Sequence, residues 1–217
     1  MGVSPWLWVG VAVVVVAAVV LAILLTSSDN DAEKEAGEIG VEVTTEGTAL
    51  PVFQGSAADA AVGQPAPVVT GVSPEGDPVT IGGAGPQILV FLAHYCPHCQ
   101  VEVPEIVAAS GSPDWPDNVE VTGITTATDD NRPNYPPSAW LDREDWPWPV
   151  MADDADSGAA GVYGISAFPY MVFIDADGNV ALRTSGELGA ENFLELADAL
   201  GKGEPLATPG TGGSSGA

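Results

Sequence analysis

The chain has 217 residues, which is enough for one ordinary domain with appendages. Lys and Arg total 5 against 30 Asp and Glu, so the formal net charge is −25. Such a chain has no basic surface to displace counterions from phosphates. Its charge therefore argues against nucleic acid as a partner and against docking on anionic lipid headgroups.

An apolar segment lies near the start of the chain. No charged residue occurs from Trp6 to Leu25, and a helix of this length rises about 30 Å, the thickness of a bilayer's hydrocarbon core. The alternative is a cleaved signal peptide. However, the segment is longer than the usual apolar region of one, no Lys or Arg precedes it, and no small-x-small cleavage site follows. Residues 1–25 are therefore predicted to form an uncleaved, single-pass transmembrane helix in the cell membrane.

The next segment is acidic and the last one is small and polar. Residues 26–61 carry clustered acids followed by Gly, Ala and Ser, and residues 201–217 are rich in Gly, Pro and Ser. Neither composition buries enough apolar surface to offset its ordering entropy. We expect 26–61 to be a flexible linker, 201–217 to be a disordered tail, and 62–200 to be the folded domain. The acidic flank after the apolar segment favours an extracytoplasmic position for this domain.

Strand and helix patterns alternate within residues 62–200. Residues 87–93 form a continuous apolar run, which is typical of a buried central strand. Residues 97–110 suit a helix, and residues 119–126 alternate as a second strand. Further elements are predicted in this order: helical segments near 138–145 and 155–163, a β-hairpin of strands 170–174 and 179–184 joined by an Asp-Gly turn, and an amphipathic helix over 190–200. The pattern predicts an α/β sandwich with a central mixed sheet flanked by helices.

Both cysteines and both histidines of the chain lie within six residues, from His94 to Cys99. Cys96 follows the predicted central strand, and Pro97 occupies a position that proline tolerates in the first turn of a helix. The Cys96 sulfur would then face unpaired backbone N–H groups and the positive end of the helix dipole, which both favour a thiolate. Cys99 is one helical turn further on. Cys96 is therefore predicted to be the nucleophile and Cys99 the resolving thiol.

Three other interpretations of the cysteines remain. A structural disulfide would close only a tiny loop and would constrain the unfolded chain very little. A zinc or copper site would need ligands beyond the two thiolates, and only His94 and His98 could supply them. Inert core cysteines are the third. Counting metal per chain after purification without chelator would separate a membrane-tethered metal-binding or metallochaperone module from an enzyme.

Residues 62–200 resemble the thioredoxin superfamily, and in particular its membrane-anchored TlpA/ResA-like branch. The segments VGQPAP and GVSPEGDPVTI are similar to the extension and hairpin that these proteins place before the core strand. ILVFLAHYCPHCQVEVPEI is similar to their strand, CxxC motif and helix, with Pro104 as the helix proline. GVYGISAFPYMVFIDADGNV is similar to the segment that holds the superfamily's cis-proline, here Pro169. The resemblance implies that Phe168 and Pro169 contact a bound substrate strand.

The chain departs from the family pattern in two ways. The acidic or amide residue that thioredoxins usually carry beneath the disulfide is replaced by Val90, so either water or Glu102 would have to accept the proton of Cys99. Glu102 could instead be a solvated helix residue. The dipeptide between the cysteines, Pro97-His98, resembles that of DsbA-type oxidases and is expected to tune the redox potential.

These observations predict a membrane-tethered, extracytoplasmic thiol–disulfide oxidoreductase with no cofactor and no metal. Its partners would be protein thiol or disulfide clients and a redox recycling partner in the membrane. The scaffold resembles reductases and the dipeptide resembles oxidases, so the direction of exchange stays open. The reduction potential would decide it, since values near −270 mV are typical of thioredoxin and values near −120 mV of DsbA.

Overall fold

The computed structural model describes residues 37–40, 42–55 and 58–208. The predicted transmembrane helix at 1–25 and the first part of the predicted linker lie outside these residues. Among the residues that are described, no helix is both long and apolar enough to cross a bilayer.

One mixed sheet forms the centre of the described fold. Its strands are β1 (Thr44–Glu46), β2 (Val68–Val72), β3 (Pro78–Ile81), β4 (Gln87–Leu92), β5 (Glu120–Thr125), β6 (Val150–Ala152), β7 (Tyr170–Ile174) and β8 (Val180–Ser185). The order across the sheet is β1-β2-β6-β5-β4-β7-β8, and β3 pairs with β2. Strands β4, β5 and β6 run parallel to one another. Strand β7 is antiparallel to its two neighbours, β4 and β8. The predicted mixed sheet is confirmed, as is the predicted hairpin of β2 and β3.

Helices flank this sheet. They are α1 (Pro97–Ser110), α2 (Pro137–Arg143), α3 (Gly158–Val162) and α4 (Gly189–Gly201). The first matches the predicted helix, and Pro104 lies inside it. Because Cys96 directly precedes α1 and follows β4 by a short turn, the two cysteines lie where the central strand meets the helix.

The side chains of β4 explain why its sequence is apolar throughout. Ile88, Val90 and Leu92 are buried in a core cluster shared with α1, α2 and α4. Leu89 and Phe91 point to the opposite face, where they are buried in a second cluster. Successive residues of a strand face opposite sides of the sheet, so a strand that is covered on both faces is apolar at every position.

The predicted domain boundary at residue 62 is too late. Strand β1 pairs with β2 in the sheet, and Leu50 and Phe53 are buried in the second core cluster. Glu38 is also buried, and its carboxylate accepts hydrogen bonds from the backbone N–H and the hydroxyl of Ser138. A flexible linker would leave its acids in solvent. The structure instead uses Glu38 to satisfy polar groups at the start of α2, so residues 37–61 are not wholly a flexible linker.

A buried ion pair fixes the same segment to the sheet. The guanidinium of Arg183 on β8 donates to both carboxylate oxygens of Asp59, with Nε 2.7 Å from Oδ2. Its Nη1 donates to the carbonyl oxygens of Pro51 and Tyr163 at 2.9 and 3.0 Å. The arginine therefore joins three separate parts of the chain.

Part of the predicted C-terminal tail also packs on the domain. Leu206 contacts the core cluster of the helices, and Asn118 donates from its side chain to the carbonyl oxygen of Gly201 at 2.9 Å. Residues 209–217 lie outside the part of the chain that the structure describes.

Candidate active site

Cys96 is the N-cap residue of α1, so it directly precedes the first residue of the helix. Its backbone is extended, with φ −73° and ψ 120°, and Pro97 occupies the first turn of the helix. The Cys96 side chain is half-buried, whereas Cys99 is fully buried, and both are free thiols. The predicted placement of Cys96 at a helix N-terminus is therefore confirmed, and of the two sulfurs it is the one that an incoming client can reach.

The environment of Cys99 keeps its sulfur protonated. Burial raises the pKa of the Cys99 thiol far above its usual value, and the backbone N–H of Ala93 offsets only part of this rise. The neighbouring Cys96 raises the pKa further, through its charge and through a side-chain hydrogen bond. Cys99 therefore needs a proton acceptor before it can attack a disulfide on Cys96, because the thiolate is the nucleophile in exchange.

The loop that contains Pro169 lies against Cys96. The Phe168–Pro169 peptide bond is cis, as the family resemblance implied. The Cys96 thiol points at the carbonyl oxygen of Phe168, with 3.7 Å between sulfur and oxygen. Pro169 is buried and Phe168 half-buried. The structure thus brings the two predicted substrate-contacting residues together with the predicted nucleophile.

His98 pairs with a residue that is distant in the chain. Pro97 and His98, which are expected to tune the redox potential, are exposed. The Nδ1 of His98 lies 2.6 Å from the Oε1 of Glu187, which is 89 positions away in the chain. Glu187 was missed in the sequence because no local motif marks an acidic residue in the turn before the last helix.

Glu102 is a buried acid beside the cysteines. Its two carboxylate oxygens accept hydrogen bonds from the backbone N–H groups of Leu188 and Gly189, each at 3.1 Å. Burial raises the pKa of Glu102, and these two amides oppose the rise. The charge of Glu102 also contributes to the raised pKa of Cys99. The alternative of a solvated helix residue is therefore wrong, and the proton-accepting role of Glu102 stays a prediction.

The strand beneath the cysteines carries no acid. Val90 is fully buried in the same cluster as Cys99, so the position at which thioredoxins usually have a polar group is apolar here, as the sequence indicated. The buried carboxylate that is predicted to accept the proton of Cys99 instead is that of Glu102, which lies on α1 and not in the sheet.

His94 holds the loop that follows β5. The ring is buried; its Nδ1–H donates to the carbonyl oxygen of Pro133 at 2.8 Å, and its Nε2 accepts from the backbone N–H of Asp129 at 3.2 Å. In the same loop, the Arg132 guanidinium lies 4.3 Å from the centre of the Tyr95 ring. Both ring nitrogens of His94 are engaged with backbone groups, so this histidine is not placed to ligate a metal together with the cysteines.

Known proteins share features of sequence and of fold with this chain. Residues 62–183 match the sequence profile of the AhpC/TSA family. No curated protein matches the chain. Among solved structures, a thiol:disulfide interchange protein of the thioredoxin family from Chlorobium tepidum is 26% identical, with a TM-score of 0.52, and the match covers 66% of this chain and 99% of that one.

Two other solved structures show the same fold at lower identity. A secreted Mycobacterium tuberculosis disulfide oxidoreductase homologous to E. coli DsbE is 20% identical with a TM-score of 0.52, and the match covers 60% of this chain and 95% of that one. A putative thiol:disulfide interchange protein DsbE from Chlorobium tepidum is 19% identical with a TM-score of 0.50, covering 63% and 97%. From the family match and the arrangement of Cys96 and Cys99, the chain belongs to the AhpC/TSA family, as a thiol–disulfide oxidoreductase with a thioredoxin-like fold.

Proposed function

We propose that this chain is a membrane-tethered, extracytoplasmic enzyme that exchanges disulfides with protein clients through Cys96 and Cys99. One observation carries the catalytic part of the proposal. A reachable thiol at a helix N-terminus faces the carbonyl oxygen of Phe168, and a second, buried thiol lies one helical turn behind it. This is the arrangement that two successive thiol–disulfide exchanges need.

In the reducing direction, the Cys96 thiolate attacks one sulfur of a client disulfide. The client's S–S bond breaks, the leaving sulfur takes up a proton, and a mixed disulfide joins Cys96 to the client. The Cys99 thiol then gives up its proton and attacks the Cys96 sulfur, which releases the second client thiol. The client gains two electrons and the enzyme ends with a Cys96–Cys99 disulfide. Oxidation of a client dithiol is the same sequence in reverse.

The proton of Cys99 is assigned to Glu102. Its carboxylate is buried beside Cys99, and its raised pKa brings it closer to neutral pH than that of a solvated glutamate. A base whose pKa lies near the working pH transfers protons efficiently.

A client segment would bind beside the loop of Phe168 and Pro169. The carbonyl oxygen of Phe168 faces Cys96, so an extended segment with its cysteine at this sulfur can pair with the backbone there. Val101 supports docking, because it lies on the exposed face of α1 and 54% of its surface is accessible. An exposed apolar residue on the helix that begins after the nucleophile suits the transient contact of an exchange reaction.

The tether and the location rest on the sequence. The uncharged segment from Trp6 to Leu25 has the length of a membrane span, and the stretch from Asp29 to Glu46 carries seven acids against one Lys, so it has little of the Lys and Arg that retain a segment inside. An enzyme in this position needs a membrane redox partner that restores its dithiol or its disulfide after each turnover.

Trapping tests the proposed function. Cys99→Ser in the full chain should accumulate mixed disulfides with clients, because Cys96 can attack but nothing resolves the product. Cys96→Ser is the matched control and should accumulate none. Non-reducing gels of the two variants measure the outcome. Adducts on the Cys96→Ser variant alone would reverse the two roles, and the absence of adducts on both would refute exchange with protein clients.

A further inference from the structure

The pairing of His98 with Glu187 joins the CxxC motif to the turn before α4. The His98 Nδ1 lies 2.6 Å from the Glu187 carboxylate, and 69% and 40% of the two side-chain surfaces are accessible. His98 stands between the two cysteines, two residues after Cys96. The Cys96 thiol points at the carbonyl oxygen of Phe168, whereas the Nδ1–H of His98 is directed at Glu187.

The backbone around Glu187 is fixed from two sides. Before it, the N–H of Gly186 donates to the carbonyl oxygen of Pro169 at 2.9 Å. After it, the N–H groups of Leu188 and Gly189 donate to Glu102. The backbone that carries Glu187 is therefore tied to the proline loop and to the buried acid of α1.

We propose that Glu187 is a positioning residue that sets the redox potential of the Cys96–Cys99 pair by holding the His98 ring. The proposal rests on the thiol–disulfide exchange function. The thiolate of Cys96 exists only in the reduced protein, so a donor or a positive charge near it stabilises the reduced form and makes the disulfide easier to reduce. Glu187 takes up the Nδ1–H donor of His98 and adds a negative charge.

The two effects of Glu187 have the same sign. An Nδ1–H of His98 that donates to Glu187 cannot also donate to the Cys96 sulfur, and the negative charge of the Glu187 carboxylate repels the Cys96 thiolate. Glu187 therefore makes the disulfide harder to reduce than the Pro97-His98 dipeptide alone would make it. This accounts for an oxidase-like dipeptide on a scaffold that resembles reductases.

The test is the redox equilibrium of the full chain with glutathione. Glu187→Ala should raise the equilibrium constant for reduction of the disulfide about two- to fivefold, as expected for an exposed pair, which is a potential about 10–20 mV less negative. Glu191→Ala is the matched control, since Glu191 is an exposed acid in the first turn of α4. It should leave the constant nearly unchanged.

The same change is then made in a His98→Ala background. There, Glu187→Ala should shift the constant less than it does in the parent chain, because only the charge of Glu187 still acts on Cys96 once the ring is gone. The proposal would be overturned if Glu187→Ala left the equilibrium constant for reduction unchanged in the parent chain. It would also be overturned if the substitution shifted that constant equally in the parent chain and in the His98→Ala background. A chain that fails to exchange with glutathione at all would instead refute the proposed function, so the two failures are distinguishable.

Discussion

The buried ion pair of Asp59 and Arg183 allows a stability prediction of definite size. The side chain of Arg183 is 0% accessible and that of Asp59 is 8% accessible. Asp59→Ala would leave a guanidinium buried without its counter-charge, which typically costs about 3–5 kcal/mol. A domain of this kind is stable by only about 5–15 kcal/mol. The variant should therefore lose a large part of its free energy of unfolding, although Asp59 lies outside the predicted domain.

Urea unfolding of the full chain at pH 7, followed by tryptophan fluorescence, measures the loss. The double variant Asp59→Leu/Arg183→Met leaves no buried charge unpaired and should recover part of it, although the carbonyl oxygens of Pro51 and Tyr163 still lose their donor. Asp198→Ala breaks the exposed pair with Lys202 and should move the midpoint little. A loss below about 1 kcal/mol for Asp59→Ala, or a larger loss in the double variant, would refute the reasoning.

The pH dependence of this loss has a definite sign. Burial raises the pKa of Asp59, but hydrogen bonds from Arg183 and from the backbone N–H of Ala61, with the charge of Arg183, outweigh it and hold the pKa below its usual value. A depressed carboxyl pKa contributes stability above the unfolded-state pKa, and the contribution disappears as the pH falls through the folded-state pKa. The difference between the parent chain and Asp59→Ala should therefore be full near neutral pH and should shrink below about pH 4.

Two further predictions concern the site and its location. Glu102→Gln should slow the resolution of a mixed disulfide on Cys96 by about a hundredfold, the lower end of what a positioned base contributes; Glu105→Gln is its control, because Glu105 also accepts a backbone N–H at the start of α4. Equal slowing of both variants, timed by quenched gels, would assign Glu102 to capping alone. A membrane-impermeant thiol reagent should label Cys96 in intact, reduced cells, and labelling only after lysis would contradict the extracytoplasmic location.

Local signals in the sequence were sufficient for the elements that carry the cysteines. The apolar run of β4 is diagnostic because both faces of that strand are covered, and the cap at Cys96 follows from Pro97 in the first turn of α1. The short strand β6 (Val150–Ala152) was missed, since it lies in a stretch of Trp and Pro and pairs over only a few residues. A strand of that length has too few positions to show a period.

The N-terminal segment could not be placed from its composition. Its acids look like a solvated, self-repelling run, and nothing adjacent in sequence indicates that Glu38 meets Ser138 or that Asp59 meets Arg183. These partners are 100 and 124 residues away, respectively. The net charge of a segment reflects only its own residues, whereas its folding also depends on hydrogen-bond donors that belong to distant elements.

The same reasoning applies to the direction of exchange. A Pro97-His98 dipeptide favours oxidation only if the imidazole acts on the Cys96 sulfur, and that depends on what else binds the ring. In this chain the ring pairs with Glu187, and the turn that carries Glu187 is itself held by Glu102, the acid proposed to accept the proton of Cys99. We therefore propose that the potential and the proton transfer of the site are coupled through one turn. A change at Glu102 should disturb both, whereas a change at Glu187 should move the potential and leave the resolution step fast.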